Sequence, residues 1–169
     1  MTKQEMTHYI DRLGDLSDKL IAMAPESPLD WKPDDGNWFT LGQELSHIAE
    51  SFGIFGWIAD GCPPLTEEQR AAMSKTEPRT PSAARKVLAE KRAYVRERLN
   101  ALSDADYKSK AVDTGFGLQG PIFQVLTFGT EHTINEKMRL FTYLKLLGVP
   151  VNTPTLYRGE VPKPEAVAA

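Results

Sequence analysis

Pro121–Gly148 reads PIFQVLTFGTEHTINEKMRLFTYLKLLG, and this stretch decides the fold class. Pro121 suits a helix start, and Gly148 with Pro150 just beyond is a strong stop signal. At about 1.5 Å per residue the segment spans ~40 Å as a helix, enough to run the length of a bundle. Val125, Phe128, Gly129, His132, Glu136 and Leu140 climb it at spacings of one, three and four. If Val125, Phe128 and Leu140 face a core, His132 and Glu136 face it too. An ionised carboxylate on such a face is costly unless it is paired or bound to a metal.

An earlier segment of the same character, LGQELSHIAESFGIF over residues 41–55, contributes His47. Two imidazoles and a carboxylate converging between helices (His47, His132 and Glu136) make a three-ligand set for a divalent transition metal, with positions left for water or substrate. Two of the three histidines in the chain fall in this arrangement; His8 reads as an exposed residue. The competing reading is plain hydrogen bonding. A histidine on an apolar helix face is usually satisfied within the core, and Glu136 can turn to solvent or pair with Lys137, Arg139 or a cation on another helix. Two histidines on separate helices, with an acid one turn from the second, tilt the balance toward metal. Glu44-x-x-His47 also matches half of a di-iron carboxylate motif. The other half is missing, because Glu131-His132 has the wrong spacing, and a dinuclear site is not expected. Asn135, three residues from His132, is a candidate hydrogen-bond partner or a poor ligand.

Helical periodicity dominates the rest of the chain. Thr2-x-x-Glu5 is a capping-box pattern, followed by a helix with Met6, Tyr9, Ile10, Leu13, Leu16, Leu20 and Ile21 as its stripe and Pro25 and Pro28 at its end. The turn-rich SPLDWKPDDGNWF carries Trp31 and Trp38, read as lids on the core. Thr40-x-x-Gln43 opens a second helix that runs to Gly61-Cys-Pro-Pro, with Leu41, Leu45, Ile48, Phe52 and Phe55 inward. Thr66-x-x-Gln69 marks one short helix in the polar connection that follows. Thr80-Pro81 opens the third long helix, with Val87, Leu88, Tyr94, Val95, Leu99 and Leu102 inward. SDADYKSKAVDTGFGLQG, residues 103–120, reads as a loop. Four long helices with no convincing strand imply an all-α four-helix bundle. The connections exceed the tight turns of antiparallel neighbours, which points to long crossover connections. Residues 1–150 are expected to form one metal-binding bundle domain. Residues 151–169 form a tail strapped in part through Leu156 and Tyr157, with loose final residues.

Composition narrows the function classes. The chain has 169 residues, 41% of them hydrophobic, which suits a single full-sized core. A net charge of −3 without a dense basic patch argues against a nucleic-acid partner. The run RKVLAEKRAYVRER is interleaved with Glu90 and Glu97 and reads as a solvated helix face. Cys62 is the only cysteine, so no intrachain disulfide forms, and no base lies beside it to make a catalytic thiol. No segment approaches the ~20 apolar residues of a membrane span, and the N-terminus lacks a signal-peptide stretch; a cytoplasmic protein is expected.

W-x-P-D-D-G-N-W at Trp31–Trp38, then L-x-x-x-L-S-H-I-A-E, then H-x-x-x-E closing on YLKLLGVPV, resembles the DinB/YfiT-like family of metalloenzymes, which includes thiol-dependent S-transferases. The resemblance covers roughly residues 1–151. It implies metal ligands at His47, His132 and Glu136, with glutamate standing where family members carry a further histidine. Members often have an arginine-glycine-glutamine run just beyond; here Lys137, Met138 and Arg139 replace it. It implies a bundle with crossovers, a homodimer, and a divalent ion: Zn2+ most simply, with Ni2+, Mn2+ or Fe2+ also suited. The implied reaction transfers a low-molecular-weight thiol to an electrophilic small-molecule substrate, ahead of hydrolysis by metal-activated water. Glu136 is either a ligand or the catalytic general base. Tyr143, two turns beyond Glu136 on the same helix face, reads first as a core-packing residue and second as a neighbour of the site; Asp30, Trp31 and Trp38 are placed at its mouth. The alternative is a non-catalytic helical binding protein that has lost metal chemistry.

Overall fold

Capping boxes set the helix starts in the computed structural model, which describes residues 1–73 and 76–162. Helix α1 (Lys3–Met23) begins at Thr2, whose hydroxyl accepts the Glu5 N–H at 3.2 Å while the Glu5 carboxylate accepts the Thr2 N–H at 2.8 Å. Thr40 and Gln43 reproduce this reciprocal pair at the start of α2 (Leu41–Ser51). The second long helix does not run unbroken to Gly61 as expected. It stops at Ser51 and resumes as α3 (Ile54–Ala59). The Ser51 hydroxyl bonds back to the Ile48 carbonyl at 3.3 Å, and the Gly53 N–H reaches Glu50 O at 3.0 Å. Such serine and glycine contacts are known sources of helix kinks. The kink leaves Phe52 and Phe55 edge to face, 5.2 Å between ring centroids, and both buried.

Thr66 and Gln69 cap the short α4 (Glu67–Met73), and Thr80 caps α5 (Pro81–Ala101) with proline in its first turn. Residues 103–120 are not a plain loop. They form α6 (Asp104–Ser109) and the first arm of a small antiparallel hairpin, β1 (Ala111–Asp113) against β2 (Gln119–Pro121), with Val112 opposite Gly120. Strands of three residues are too short to show alternation, so periodicity missed them. The turn itself is chemically marked: the Asp113 carboxylate accepts the Gly115 N–H at 2.7 Å, and Gly115 and Gly117 take φ of 70° and 86°. Helix α7 (Ile122–Leu146) follows, ending before Gly148 at φ 75°.

Helix α1 packs chiefly on α5 and α7, and the α2–α3 pair packs on the same two. The first and second long helices are therefore diagonal across the bundle, as are the third and fourth. The connections over 24–40 and 102–121 cross the bundle, which confirms the all-α bundle with crossovers. Leu20, Leu45, Ile48, Phe55, Leu88, Val125 and Leu140 are among the buried core. Along α1 and α5 the expected solvated basic face also meets acids: Asp11–Arg96 at 3.0 Å, Asp15–Arg92 at 2.5 Å and Asp18–Arg85 at 2.8 Å. Each such pair adds little stability, but together they run in opposite chain directions and mark α1 and α5 as antiparallel.

Beyond the bundle, α8 (Thr153–Arg158) lies against α1. Leu156 is buried and Tyr157 exposed. The buried Lys137 donates to the Leu156 carbonyl at 3.1 Å, and Arg12 to the Tyr157 carbonyl at 3.1 Å. The final tail, expected to be loose, lies outside the described residues from 163 onward. Among the described residues no helix is long and apolar enough to cross a membrane.

Candidate metal centre

The pairings between α2 and α7 run in opposite chain directions: Glu44 meets Arg139, and His47 meets Glu136. This antiparallel contact brings the three sequence-predicted residues to one spot. His47 Nε2 lies 3.4 Å from Glu136 Oε2, and His132 Nε2 lies 3.8 Å from Glu136 Oε1. The imidazole rings stand nearly perpendicular, 5.7 Å between centroids. One ligand atom from each residue falls within 4.8 Å of the others. Bonds of about 2.0–2.1 Å to a tetrahedral ion would set ligand atoms ~3.4 Å apart. The two histidine–carboxylate separations, 3.4 and 3.8 Å, are at or just above that value, the whole set lies within 4.8 Å, and nitrogen–nitrogen–oxygen is a donor set that transition ions accept. The residues present fit such an ion.

Burial decides the electrostatics. Glu136 is only 4% exposed, whereas the His132 side chain is 43% exposed. Burial alone pushes the Glu136 carboxyl up. The hydrogen bond and charge of His47, with the charges of Arg139 and His132, outweigh it and hold the carboxyl below its ordinary range. Burial lowers His132, partly opposed by Glu136, which favours the neutral ring that a metal needs.

Arg139 bridges two acids. Its Nε donates to Glu44 Oε2 at 2.6 Å, and its Nη2 donates to Glu136 Oε2. The ion pair raised as the competing reading is thus present alongside the converging histidines. Glu44 is completely buried, and its Oε1 has no partner. Burial pushes its carboxyl up to about 7, more than the Arg139 contact pulls it down. The Phe39 ring lies 5.2 Å from the His47 ring, tilted at 57°, and the Arg139 guanidinium lies over it at 5.4 Å, so Phe39 covers one side of the cluster.

Other sequence-predicted positions divide. Tyr143 is buried beside the cluster and donates to the Phe39 carbonyl at 2.9 Å. Trp31 and Trp38 both pack edge-on to Tyr143, at 5.5 and 6.5 Å. Asp30 and Asn135 are exposed and make no contact with the ligand set, and His8 is exposed as expected. Phe128, expected inward, is 46% exposed, because the hydrophobic stripe of α7 is wider than the face its partners cover. Cys62 is buried, and its thiol is pushed up to about 11 by burial and the Asp113 charge, which suits an inert residue. The joint role of Glu44, Phe39 and Arg139 was not read from the sequence. A signal for two of them existed: Glu44 precedes His47 by three residues and Arg139 follows Glu136 by three, so each shares its neighbour's helix face.

No curated protein matches this chain closely enough to count as a relative. A family profile described as the DinB superfamily matches residues 9–136, a span that starts in α1 and holds all three converging side chains. With that match over most of its length, the chain belongs to the DinB superfamily.

Proposed function

We propose that this protein is a divalent-metal-dependent enzyme that holds the ion on His47, His132 and Glu136 and acts on a small electrophilic substrate. The observation that carries this reading is the convergence of three donor atoms within 4.8 Å from two separate helices. Zinc is the simplest ion for two imidazoles and a carboxylate; nickel, manganese and iron(II) also suit the set. A bound ion of this kind supplies Lewis acidity, lowering the pKa of a coordinated water or thiol. His47 and His132 present ring nitrogens to it. Arg139 orients the Glu136 carboxylate, leaving Oε1 toward His132. Glu136 either completes the ligand set or serves as general base. Membership of the superfamily supports transfer of a low-molecular-weight thiol ahead of hydrolysis, and supports a homodimer.

A second reading has its own observation. Arg139 already neutralises Glu136, so the cluster can stand as an ion-pair network in a non-catalytic binding protein. Metal analysis of untagged protein separates the two. Stoichiometric metal that is lost in His47→Ala and His132→Ala supports the enzyme. Protein that stays metal-free after incubation with Zn2+, Ni2+ and Mn2+ supports the network.

A further inference from the structure

A recess of about 410 Å³ opens beside the cluster, lined by Pro33, Trp38, Met138, Thr142, Tyr143 and Leu146, with Arg139 as its one charged residue. Three of the large hydrophobic side chains left exposed on this chain, Trp38 (47%), Met138 (38%) and Leu146 (59%), gather on this one recess. Apolar surface concentrated in a concavity, with a single charged group, is the pattern of a small-ligand site.

The charge at the floor identifies the ligand. Arg139 spends Nε on Glu44 and Nη2 on Glu136, while Nη1 has no protein acceptor among the described residues. Two N–H donors therefore remain for an anion, and guanidinium groups favour carboxylates. A divalent ion on the histidines adds two positive charges to the cluster behind Arg139, which favours an anion in the recess.

We propose that the recess binds the substrate as a small monoanion with an apolar body, its carboxylate on Arg139 Nη1 and its body against Trp38 and Leu146. The substrate class rests on the metal reading for its charge, while the apolar body and the free Nη1 stand without it. A second carboxylate on the ligand is disfavoured, because Glu44 and Glu136 lie behind the same guanidinium. A neutral carbonyl can accept from Nη1, but without the charge assistance a carboxylate brings.

The test is isothermal titration of metal-loaded and metal-free protein with octanoate, octanamide and acetate as probes. Octanoate is expected to bind at least about tenfold more tightly than octanamide, the worth of one charged hydrogen bond. Acetate, lacking the body, is expected to bind more weakly still. Metal loading is expected to tighten octanoate several-fold. Thr142→Trp fills the recess, which none of His47, His132 and Glu136 lines, and is expected to abolish octanoate binding while leaving metal content unchanged. Leu146→Glu, at an exposed rim position where folding is not at risk, is expected to weaken both octanoate and octanamide, because their shared apolar body loses a contact, and octanoate the more, because the new carboxylate repels it. Octanoate that binds wild type and Thr142→Trp alike, or octanamide that matches octanoate, overturns the proposal even if the protein holds metal. Octanoate that binds metal-free protein and is lost in Thr142→Trp, in a chain that takes up no metal, upholds the recess and removes the metal reading instead.

Discussion

The guanidinium Nε of Arg139 lies 2.6 Å from the carboxylate of Glu44, a side chain with no exposure to water at all. This contact joins α7 to α2 directly behind His47 and Glu136, so the placement of the candidate ligands depends on it. Removing one partner of such a pair leaves the other charge stranded. Arg139→Ala is expected to cost about 3 kcal/mol, the low end for breaking a buried pair, because Arg139 is itself partly exposed. Urea unfolding of metal-free protein measures it; a loss within error would show that the pair is dispensable.

Glu44 also gives the fold a pH dependence. Its carboxyl is raised from the ordinary 4.5 to about 7, chiefly by burial, so the folded state holds the proton more tightly than the unfolded chain. The resulting stabilisation is complete below the unfolded value and is lost as pH rises through about 7. Glu44→Gln lacks the titrating proton. The stability of wild type relative to this variant is expected to fall between pH 4.5 and 7. Parallel unfolding curves for the two proteins across that range would contradict it.

His132 offers the cleanest separation of metal from fold. Its side chain is 43% exposed, and its contact with Glu136 is a long one at 3.8 Å. His132→Ala is expected to remove metal while changing metal-free stability by no more than about 0.5 kcal/mol, the range for exposed substitutions. Elemental analysis and thermal unfolding read the two effects. A large drop in the melting temperature of metal-free protein would mark His132 as a structural residue.

Close packing makes Gly56 the more sensitive of two buried glycines. A Cβ at Gly56 would press well inside van der Waals contact of the Tyr94 ring, which is held by its hydroxyl on Asp60 at 2.9 Å. At Gly14 the nearest atoms belong mainly to the flexible Arg92 side chain. Gly56→Ala is therefore expected to lose about 1–3 kcal/mol through overpacking, more than helix propensity returns. Gly14→Ala is expected to lose less. Chemical denaturation of both variants ranks them, and the reverse order would show that Tyr94 moves aside freely.

Lys137 fastens α8 to the bundle. Its buried ammonium donates to the Leu156 carbonyl and lies 5.7 Å from the Tyr157 ring centre. Lys137→Met keeps the stem and removes the donor. Amide hydrogen exchange over residues 153–158 is expected to speed up by about tenfold or more, as one charged hydrogen bond is lost. Unchanged protection would assign the docking of α8 to Leu156 alone.

Local chemistry, acting over three or four residues, is legible in the amino-acid order alone. Thr2, Thr40, Thr66 and Thr80 cap the helices they announce. The stripe through Val125, His132, Glu136 and Leu140 places an acid and an imidazole on one helix face because helical spacing is a property of the backbone. The hairpin at residues 111–121 and the kink at Phe52-Gly53 are not legible in that way. Three-residue strands carry no period, and the kink depends on side-chain contacts that compete with the regular helix ladder. The sequence by itself determined the four long helical segments, though not the break in the second, together with the threonine caps and the candidate ligand set. Only the tertiary structure decided that α2 and α7 lie antiparallel in contact, that Arg139 would link Glu44 to Glu136, and that Phe128 would face outward. Those outcomes depend on which helix faces meet across the bundle, and that follows from packing among residues far apart in the chain.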